Sequence, residues 1–207
     1  MKKIHSYKTI SLYKFIHIKN IFNFRNILNK ILKNYDARGI ILLAPEGINL
    51  NISIISNQSN GFLNDLKYLF SFNKEDLKLS ISTSHIFRKL KVKIKREILT
   101  TKNEIQIISK NVGKYIDPED WDSFIKKEDV VIVDTRNNYE IKVGTFKKSI
   151  NPACKDFSGI LDWISNYLLK KKNIENKKIA MFCTGGIRCE KATSLIKKLG
   201  HDNVYHL

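Results

Sequence analysis

The hydrophobic positions of the first hundred residues follow strand spacing and helix spacing in turn. Residues 8–18 are mostly β-branched and aromatic, which predicts a strand. Apolar residues then recur every three or four positions, and this spacing predicts a helix: Phe24, Ile27, Leu28, Ile31, Leu32 and Tyr35. The apolar run at 39–43 predicts a second strand. Over 48–54, isoleucine and leucine alternate with asparagine and serine, which predicts a third, half-buried strand.

The order of these elements predicts the fold of the first half. Pro45-Glu46-Gly47 supplies a turn between the second and third strands. A second helix is predicted over 59–70, and apolar residues at 77, 79 and 81 mark a fourth strand. The resulting order β-α-β-β-α-β is that of a ferredoxin-like fold. Alternation at Leu90, Val92 and Ile94 predicts a further strand after it.

The second half alternates buried strands with amphipathic helices. Asp117-Pro118-Glu119-Asp120 has the composition of a helix start, and 130–133 is a buried strand that ends at Asp134. Two more helices have an apolar face, formed by Ile160, Trp163, Ile164, Tyr167 and Leu168 in one and by Ala192, Leu195, Ile196 and Leu199 in the other. This pattern predicts a doubly wound α/β domain with a parallel sheet.

A polar connector separates the two halves, and we place the domain boundary within it. The predicted organisation is a first domain at 1–100, a linker at 101–114 and a second domain at 115–207. No stretch approaches the roughly 18 to 20 apolar residues of a membrane span, and no signal-peptide pattern is present. An odd number of cysteines, three, fits a reducing compartment better than a disulfide framework. We therefore expect a cytoplasmic protein that does not enter a membrane.

The chain carries a large positive charge. Its formal net charge is +17 and its pI is about 9.7, which favours an anionic partner such as nucleic acid. Part of this charge alternates along one predicted strand, at Lys89, Lys91, Lys93, Lys95 and Arg96. The alternative is a compositional bias, because the whole chain is rich in Lys, Asn and Ile.

A six-residue loop, Cys183-Thr184-Gly185-Gly186-Ile187-Arg188, joins the apolar strand 179–182 to a helix. Loop amides, the positive end of the helix dipole and a guanidinium all favour the thiolate of Cys183. The two glycines allow the backbone to curl and bring its amides close. Three alternatives compete with this interpretation: a metal ligand, for which no second Cys or His pair is present, a phosphatase-like loop, which would be one residue longer, and an inert buried cysteine.

Residues near this loop receive supporting roles. Asp134 and Cys183 both follow strands of the predicted parallel sheet, so they could share one pocket. Asp134 and Arg136 are expected to brace the loop through a pair with Glu140, the alternative being a solvated surface ion pair. Cys189 is either a packed side chain or a resolving thiol, and Cys154 is expected to be structural. None of the five histidines forms a spaced pair typical of a metal site, so no metal is predicted.

Three segments of the sequence resemble a known family. Phe182-Cys-Thr-Gly-Gly-Ile-Arg-Cys-Glu-Lys191 is similar to the active-site signature of rhodanese-domain tRNA uridine hydroxylases, and Val133-Asp-Thr-Arg-Asn-Asn-Tyr-Glu140 is similar to an upstream block of rhodanese domains. Gly39-Ile-Ile-Leu-Leu-Ala-Pro-Glu-Gly-Ile-Asn49 resembles the same hydroxylases. The resemblance implies an acylphosphatase-like domain of ferredoxin-like fold followed by a rhodanese domain. Rhodanese domains usually continue into a closing helix, so we expect this one to be truncated at 203–207.

The resemblance also implies an activity, the oxygen-dependent hydroxylation of the tRNA wobble uridine to 5-hydroxyuridine. Cys183 would be the catalytic nucleophile and carry a persulfide, and Arg188 would close the loop. The loop residues Thr184, Gly185, Gly186 and Ile187 would cradle the terminal sulfur. Dioxygen and an unidentified electron donor are implied, while no cofactor pattern is evident in the residues. The partner would be the anticodon loop of tRNA. Two alternatives stay open: a persulfide sulfurtransferase, and a basic RNA-binding or scaffold module without catalysis.

Overall fold

The computed structural model describes residues 6–101 and 111–207. The chain forms two compact units, Met1–Ile98 and Leu99–Leu207. The predicted linker at 101–114 falls mostly on 102–110, which lie outside the described residues. At its start, Thr101 is buried, and its carbonyl accepts a hydrogen bond of 2.8 Å from the Ser158 hydroxyl within the second unit.

The first unit is a five-stranded sheet with two helices. Its elements follow the predicted order: β1 (Tyr7–Phe15), α1 (Ile21–Asn34), β2 (Arg38–Ala44), β3 (Gly47–Ile55), α2 (Ser59–Leu69), β4 (Leu77–Ser82) and β5 (Leu90–Ile94), with a short 3₁₀ turn at Ser56–Gln58. The sheet order is β4-β1-β3-β2-β5. The first four strands are antiparallel neighbours, as in a ferredoxin-like fold, and β5 adds a parallel edge strand beside β2. The predicted fold class is confirmed for this half.

Alternate strand residues and the helix stripes form one core. The buried side chains include Ile10, Leu12, Leu50 and Ile52 from the sheet and Leu28, Leu32, Phe62 and Leu66 from the helices. Ile27, which the spacing places on the apolar face, is 41% exposed at its margin. The predicted strand 8–18 ends at 15, where Phe15 pairs with Gly47 at the start of β3. This glycine has φ 153°, and a Cβ there would lie 2.1 Å from the Lys14 carbonyl oxygen.

The second unit is a four-stranded parallel sheet covered on both faces. Its strands are β6 (Lys114–Tyr115), β7 (Val130–Asp134), β8 (Lys178–Phe182) and β9 (Val204–His206), and its helices are α3 (Pro118–Ile125), α4 (Asn138–Ile141), α5 (Phe157–Trp163) and α6 (Ile187–Lys198). A π-helical turn at Ile164–Leu168 and a 3₁₀ turn at Ile174–Asn176 complete it. The sheet order is β6-β9-β8-β7, with every neighbouring pair parallel.

The two faces of this sheet belong to two cores. On one face, Val133, Ile179 and Met181 pack with α5 and α6. On the other, Ile132, Ala180 and Phe182 pack with α3. Strand residues therefore alternate between two buried layers, as a doubly wound sheet requires, and the predicted α/β class is confirmed. Across the part of the chain that the structure describes, no helix is both long and apolar enough to cross a membrane.

Two residues assigned to apolar helix faces lie outside the core. Tyr167 is 67% exposed. The chain makes a π-helical turn at Ile164–Leu168, and the wider repeat of this turn keeps Ile164 and Leu168 buried while Tyr167 points outward. Leu199 is 51% exposed because α6 ends at Lys198. Gly200 follows with φ 92°, the left-handed conformation with which helices commonly end.

Candidate active site

The candidate site lies at the carboxyl edge of the parallel sheet. Asp134 and Phe182 are register partners at the ends of β7 and β8. The loop that begins at Cys183 therefore leaves the sheet beside Asp134 and enters α6 at Ile187. The structure thus brings the two strand ends together, although of Asp134 and Cys183 only the cysteine lines the pocket at this edge, and Asp134 is fully buried.

The backbone of the loop donates directly to the cysteine. The Gly186 N–H lies 3.0 Å from the Sγ atom of half-buried Cys183. Gly186 has φ 90°, a conformation that side chains with a Cβ rarely adopt. We expected both glycines to be needed for the loop to curl, but Gly185 is not. Its φ is not positive, and a Cβ there would have no heavy atom within 4 Å. Only the second glycine of the pair is thus required by the backbone conformation.

The environment of Cys183 favours its thiolate. Its pKa is lowered to about 5, chiefly because the Cys189 thiol donates a hydrogen bond to it, while burial acts in the opposite direction. The N–H groups of Cys189 and Gly185 lower the pKa further, and the charge of Arg188 adds a smaller effect. A low thiol pKa is the usual property of reactive cysteines.

Cys189 is the donor that the sequence did not identify. It lies on the first turn of α6, fully buried in the core, and its sulfur lies 3.5 Å from the Thr135 hydroxyl. Burial and the neighbouring Cys183 raise its pKa well above the ordinary value, so it stays protonated and can donate. The sequence left open whether Cys189 is a packed side chain or a resolving thiol. The structure packs it and gives it this contact with Cys183.

Arg188 is held in place by a carboxylate. Its guanidinium makes two hydrogen bonds to Glu140, of 2.7 and 2.8 Å, and a third of 3.3 Å to the Thr184 hydroxyl. Thr184 also donates to Glu140. The hydrogen bond from Arg188 is the main cause that lowers the pKa of Glu140 to about 2. The expected pair between Arg136 and Glu140 is wrong, because Glu140 binds Arg188 across the loop.

Asp134 is the actual partner of Arg136. The Asp134 carboxylate is fully buried and accepts hydrogen bonds from the Arg136 guanidinium at 2.7 and 2.9 Å, from the Arg136 N–H at 3.0 Å and from the Thr145 hydroxyl at 2.7 Å. The hydrogen bond to Asp134 raises the pKa of Arg136. The same guanidinium lies 5.4 Å from the centre of the Phe182 ring. These contacts brace the sheet edge beside the loop rather than the loop itself.

A pocket of about 370 Å³ opens at this edge, with Cys183 in its wall. Its lining is mainly apolar and aromatic, with a few polar groups. The lining residues are Arg136, Gly144, Thr145, Phe146, Phe182, Cys183, Thr184 and Leu207. The rings of Phe146 and Phe182 are perpendicular, with their centres 4.8 Å apart. A cavity of this size and character suits a small planar ligand such as a nucleobase.

The remaining candidates lie elsewhere. Cys154 is partly buried, its thiol donates to the Pro152 carbonyl at 3.3 Å, and burial raises its pKa. His17 and His85 belong to the first unit, His201 and His206 are buried in the second, and His5 lies outside the described residues. Within 6–101 and 111–207, no three His, Cys, Asp or Glu side chains are grouped so that they could hold a metal ion.

Comparison with known proteins defines the class. Residues 7–98 match the model of the UPF0176 acylphosphatase-like domain, and residues 117–207 match the rhodanese-like domain. The chain is thus a rhodanese-domain protein with an acylphosphatase-like domain before it. A rhodanese-related protein from Thermoplasma volcanium is 22% identical with a TM-score of 0.35, over 45% of this chain and 82% of that chain.

Two curated relatives match nearly the whole chain. A tRNA uridine(34) hydroxylase from Prochlorococcus marinus (strain MIT 9515) is 44% identical over 100% of this chain and 67% of its own length. One from Rickettsia canadensis (strain McKiel) is 43% identical over 96% of this chain and 78% of its own length. The chain belongs to the tRNA uridine(34) hydroxylase family.

Proposed function

We propose that this protein hydroxylates uridine 34 of tRNA, the wobble position, to 5-hydroxyuridine, with Cys183 as the catalytic cysteine. The names of the relatives support the reaction, since they match both halves of the chain at 43 to 44% identity. The observation that carries the role of Cys183 is its low pKa at the wall of a pocket large enough for a base. A thiolate is the reactive form of cysteine.

The reaction needs two further participants. Replacing hydrogen by hydroxyl at carbon 5 with dioxygen consumes two electrons and two protons and releases one water, so a two-electron donor must take part. We propose dioxygen and such a donor as co-substrates. Cys183 would act at the pocket wall as a thiolate or, after it accepts a sulfur atom, as a persulfide. The Gly186 N–H, 3.0 Å from Sγ, is suited to stabilise the thiolate.

The partner is tRNA, and we propose that the anticodon loop is the part bound at the site. Bases in such a loop are unpaired and can be turned out into a pocket. The first unit adds a basic strand, where Lys91 and Lys93 are exposed while Val92 between them is half-buried. We propose that this row of lysines contacts the tRNA backbone. A tRNA substrate and free cysteines support a cytoplasmic location.

The test of the proposal is mass spectrometry of tRNA nucleosides from a strain that lacks the gene. Complementation with the wild-type gene should restore 5-hydroxyuridine and its derivatives, and growth under ¹⁸O₂ should label them. Cys183→Ala should restore none. Cys154→Ala is the matched control, because this thiol lies outside the pocket, and it should restore the wild-type level. Restoration by Cys183→Ala would contradict the role of the cysteine and would favour a binding module.

A persulfide sulfurtransferase is the second candidate, and the loop itself favours it. The thiolate would attack the outer sulfur of a donor such as thiosulfate, form Cys–S–S⁻ and release sulfite. A thiol or cyanide would then remove that sulfur and restore the thiolate. Loss of a thiolated nucleoside in the deletion strain, with 5-hydroxyuridine retained, would support this function instead of hydroxylation.

A further inference from the structure

The segment Tyr139–Lys148, called here the 139–148 rim, exposes aromatic, apolar and basic side chains beside the pocket. Tyr139 is 70% exposed and Val143 is 90% exposed. Three lysines of the segment are also exposed: Lys142, Lys147 and Lys148. The only carboxylate in the sequence of this segment, Glu140, is already paired with Arg188. The rim therefore presents positive charge together with a ring whose faces are open to solvent.

The rim is fixed to the candidate site at several points. Glu140 holds the Arg188 guanidinium, the Gly144 carbonyl accepts a hydrogen bond of 2.6 Å from Arg136, and the Thr145 hydroxyl donates to Asp134 at 2.7 Å. Gly144, Thr145 and Phe146 also form part of the pocket wall. A molecule bound on the rim would thus continue directly into the pocket of Cys183.

The orientation of Tyr139 is set locally. Its hydroxyl oxygen accepts a hydrogen bond of 3.4 Å from the Asn137 side chain, and its backbone belongs to α4, which begins with a capping box between Asn137 and Glu140. The ring is held at its base by this short helix and is exposed at its faces. An exposed ring of this kind next to lysines is the usual platform for a single-stranded nucleic acid, because bases stack on the ring and phosphates contact the cations.

We propose that the 139–148 rim binds the tRNA nucleotides that flank the uridine in the pocket. Tyr139 stacks on a neighbouring base, and Lys142, Lys147 and Lys148 contact the phosphates on either side. This assignment rests on the proposed function for the identity of the base that enters the pocket. Charge decides the class of partner, since three cations without a free carboxylate match a polyanion better than a protein surface of mixed charge.

The same unit offers a matched control surface. Tyr167 is 67% exposed, and it is followed by the exposed residues Lys170, Lys171 and Lys172. These lysines precede β8, whereas Cys183 follows it, so they lie toward the opposite edge of the sheet. The control surface has a tyrosine of similar exposure and the same number of lysines, but it is remote from the pocket.

The experiment measures binding of a fluorescent anticodon stem-loop RNA to the full chain over a series of salt concentrations. Tyr139→Ala should weaken binding about 5- to 150-fold, which corresponds to the loss of one stacked base, while Tyr139→Phe should keep most of the affinity. Replacing the three rim lysines by Gln should lower the slope of log affinity against log salt by up to about 2, since each phosphate contact contributes about 0.7 on single strands. Tyr167→Ala and the triple Gln variant at 170–172 should change neither quantity.

Alkylation of Cys183 in each variant reports whether the site is intact, and unchanged rates separate loss of contact from misfolding. Equal RNA affinity of wild type and Tyr139→Ala would overturn the proposal, whether or not the wild type hydroxylates tRNA. Loss of RNA binding in Tyr139→Ala together with a wild type that forms no 5-hydroxyuridine would support the rim and contradict the proposed function. If Tyr139→Ala kept its RNA affinity but took up sulfur more slowly from a persulfide-bearing protein, the rim would bind a protein partner and the proposal that it binds tRNA would be overturned.

Discussion

At the scale of single residues, the site depends on which donors face the sulfur. The sequence identified Cys183, the glycine-rich loop and the arginine, because these are neighbours along the chain. It could not identify the Cys189 thiol as the main donor, since a side chain on the first turn of a helix can point toward the loop or into the core. It also could not pair Arg188 with Glu140, which lies on a different element 48 residues earlier.

The pair between Glu140 and Arg188 gives a prediction for stability. Because the folded protein holds the pKa of Glu140 at about 2, below its ordinary value of 4.5, the ionised carboxylate stabilises the fold above about pH 4.5, and this stabilisation is lost as the pH falls toward 2. Glu140→Gln should lower the free energy of unfolding by about 1 to 2 kcal/mol at pH 7, after allowance for screening by solvent. Denaturant titration measures this change.

The pH dependence and a control make this prediction specific. The difference between wild type and Glu140→Gln should shrink as the pH falls from about 5 toward 3, because Glu140 of the unfolded wild-type chain takes up a proton near its ordinary pKa of 4.5 while the folded protein keeps it ionised. Asp129→Asn removes another ion pair, with Lys178, that lies on the surface, and it should leave stability almost unchanged. A difference for Glu140→Gln that stays constant over this pH range would contradict the structural role of the charge.

At the scale of elements, the loop depends on one glycine for the start of α6. Gly186 has φ 90° at the N-terminal cap and directs its N–H at the sulfur. Gly186→Ala should cost about 1 to 2 kcal/mol of stability through backbone strain and should raise the pKa of Cys183. Gly185→Ala is the control, because it keeps the N–H that lowers the pKa of Cys183 and a Cβ there would have no heavy atom within 4 Å. Thermal unfolding measures the stability of both variants, and thiol titration measures the pKa of Cys183 in each. An equal loss of stability in the two variants would contradict the special role of Gly186.

The elements themselves were largely predictable from the sequence. Strand alternation and helix stripes identified both folds, because burial on one or two faces imposes a period on apolar residues. The π-helical turn at Ile164–Leu168 was not predictable, since the spacing from Ile160 to Leu168 also fits a regular helix, and only the packed structure turns Tyr167 outward. The exposure of Ile81 on β4, at 75%, likewise follows from its place at the sheet edge.

At the scale of the whole molecule, the charge of +17 supports a long-range attraction to tRNA. Its distribution gives a further prediction. Replacing Lys91 and Lys93 by Gln should weaken binding of full-length tRNA and flatten its salt dependence, because both side chains are exposed on one face of β5. Replacing Lys30 and Lys33 on α1 removes the same charge from the same unit. Filter binding over a salt series compares the two pairs. An equal loss of tRNA affinity in the two pairs would indicate that net charge alone attracts tRNA.

Whether the protein holds Cys183 as a thiolate can be measured by the pH dependence of its alkylation. Mass spectrometry can follow the rate for each cysteine peptide as the pH is varied, with Cys154 as an internal comparison whose pKa is raised. We expect a midpoint near 5 for Cys183 and an upward shift in Cys189→Ala, which removes the main donor. A midpoint near 9 for Cys183 in the wild-type protein, the value of an ordinary thiol, would show that the protein does not hold this residue as a thiolate.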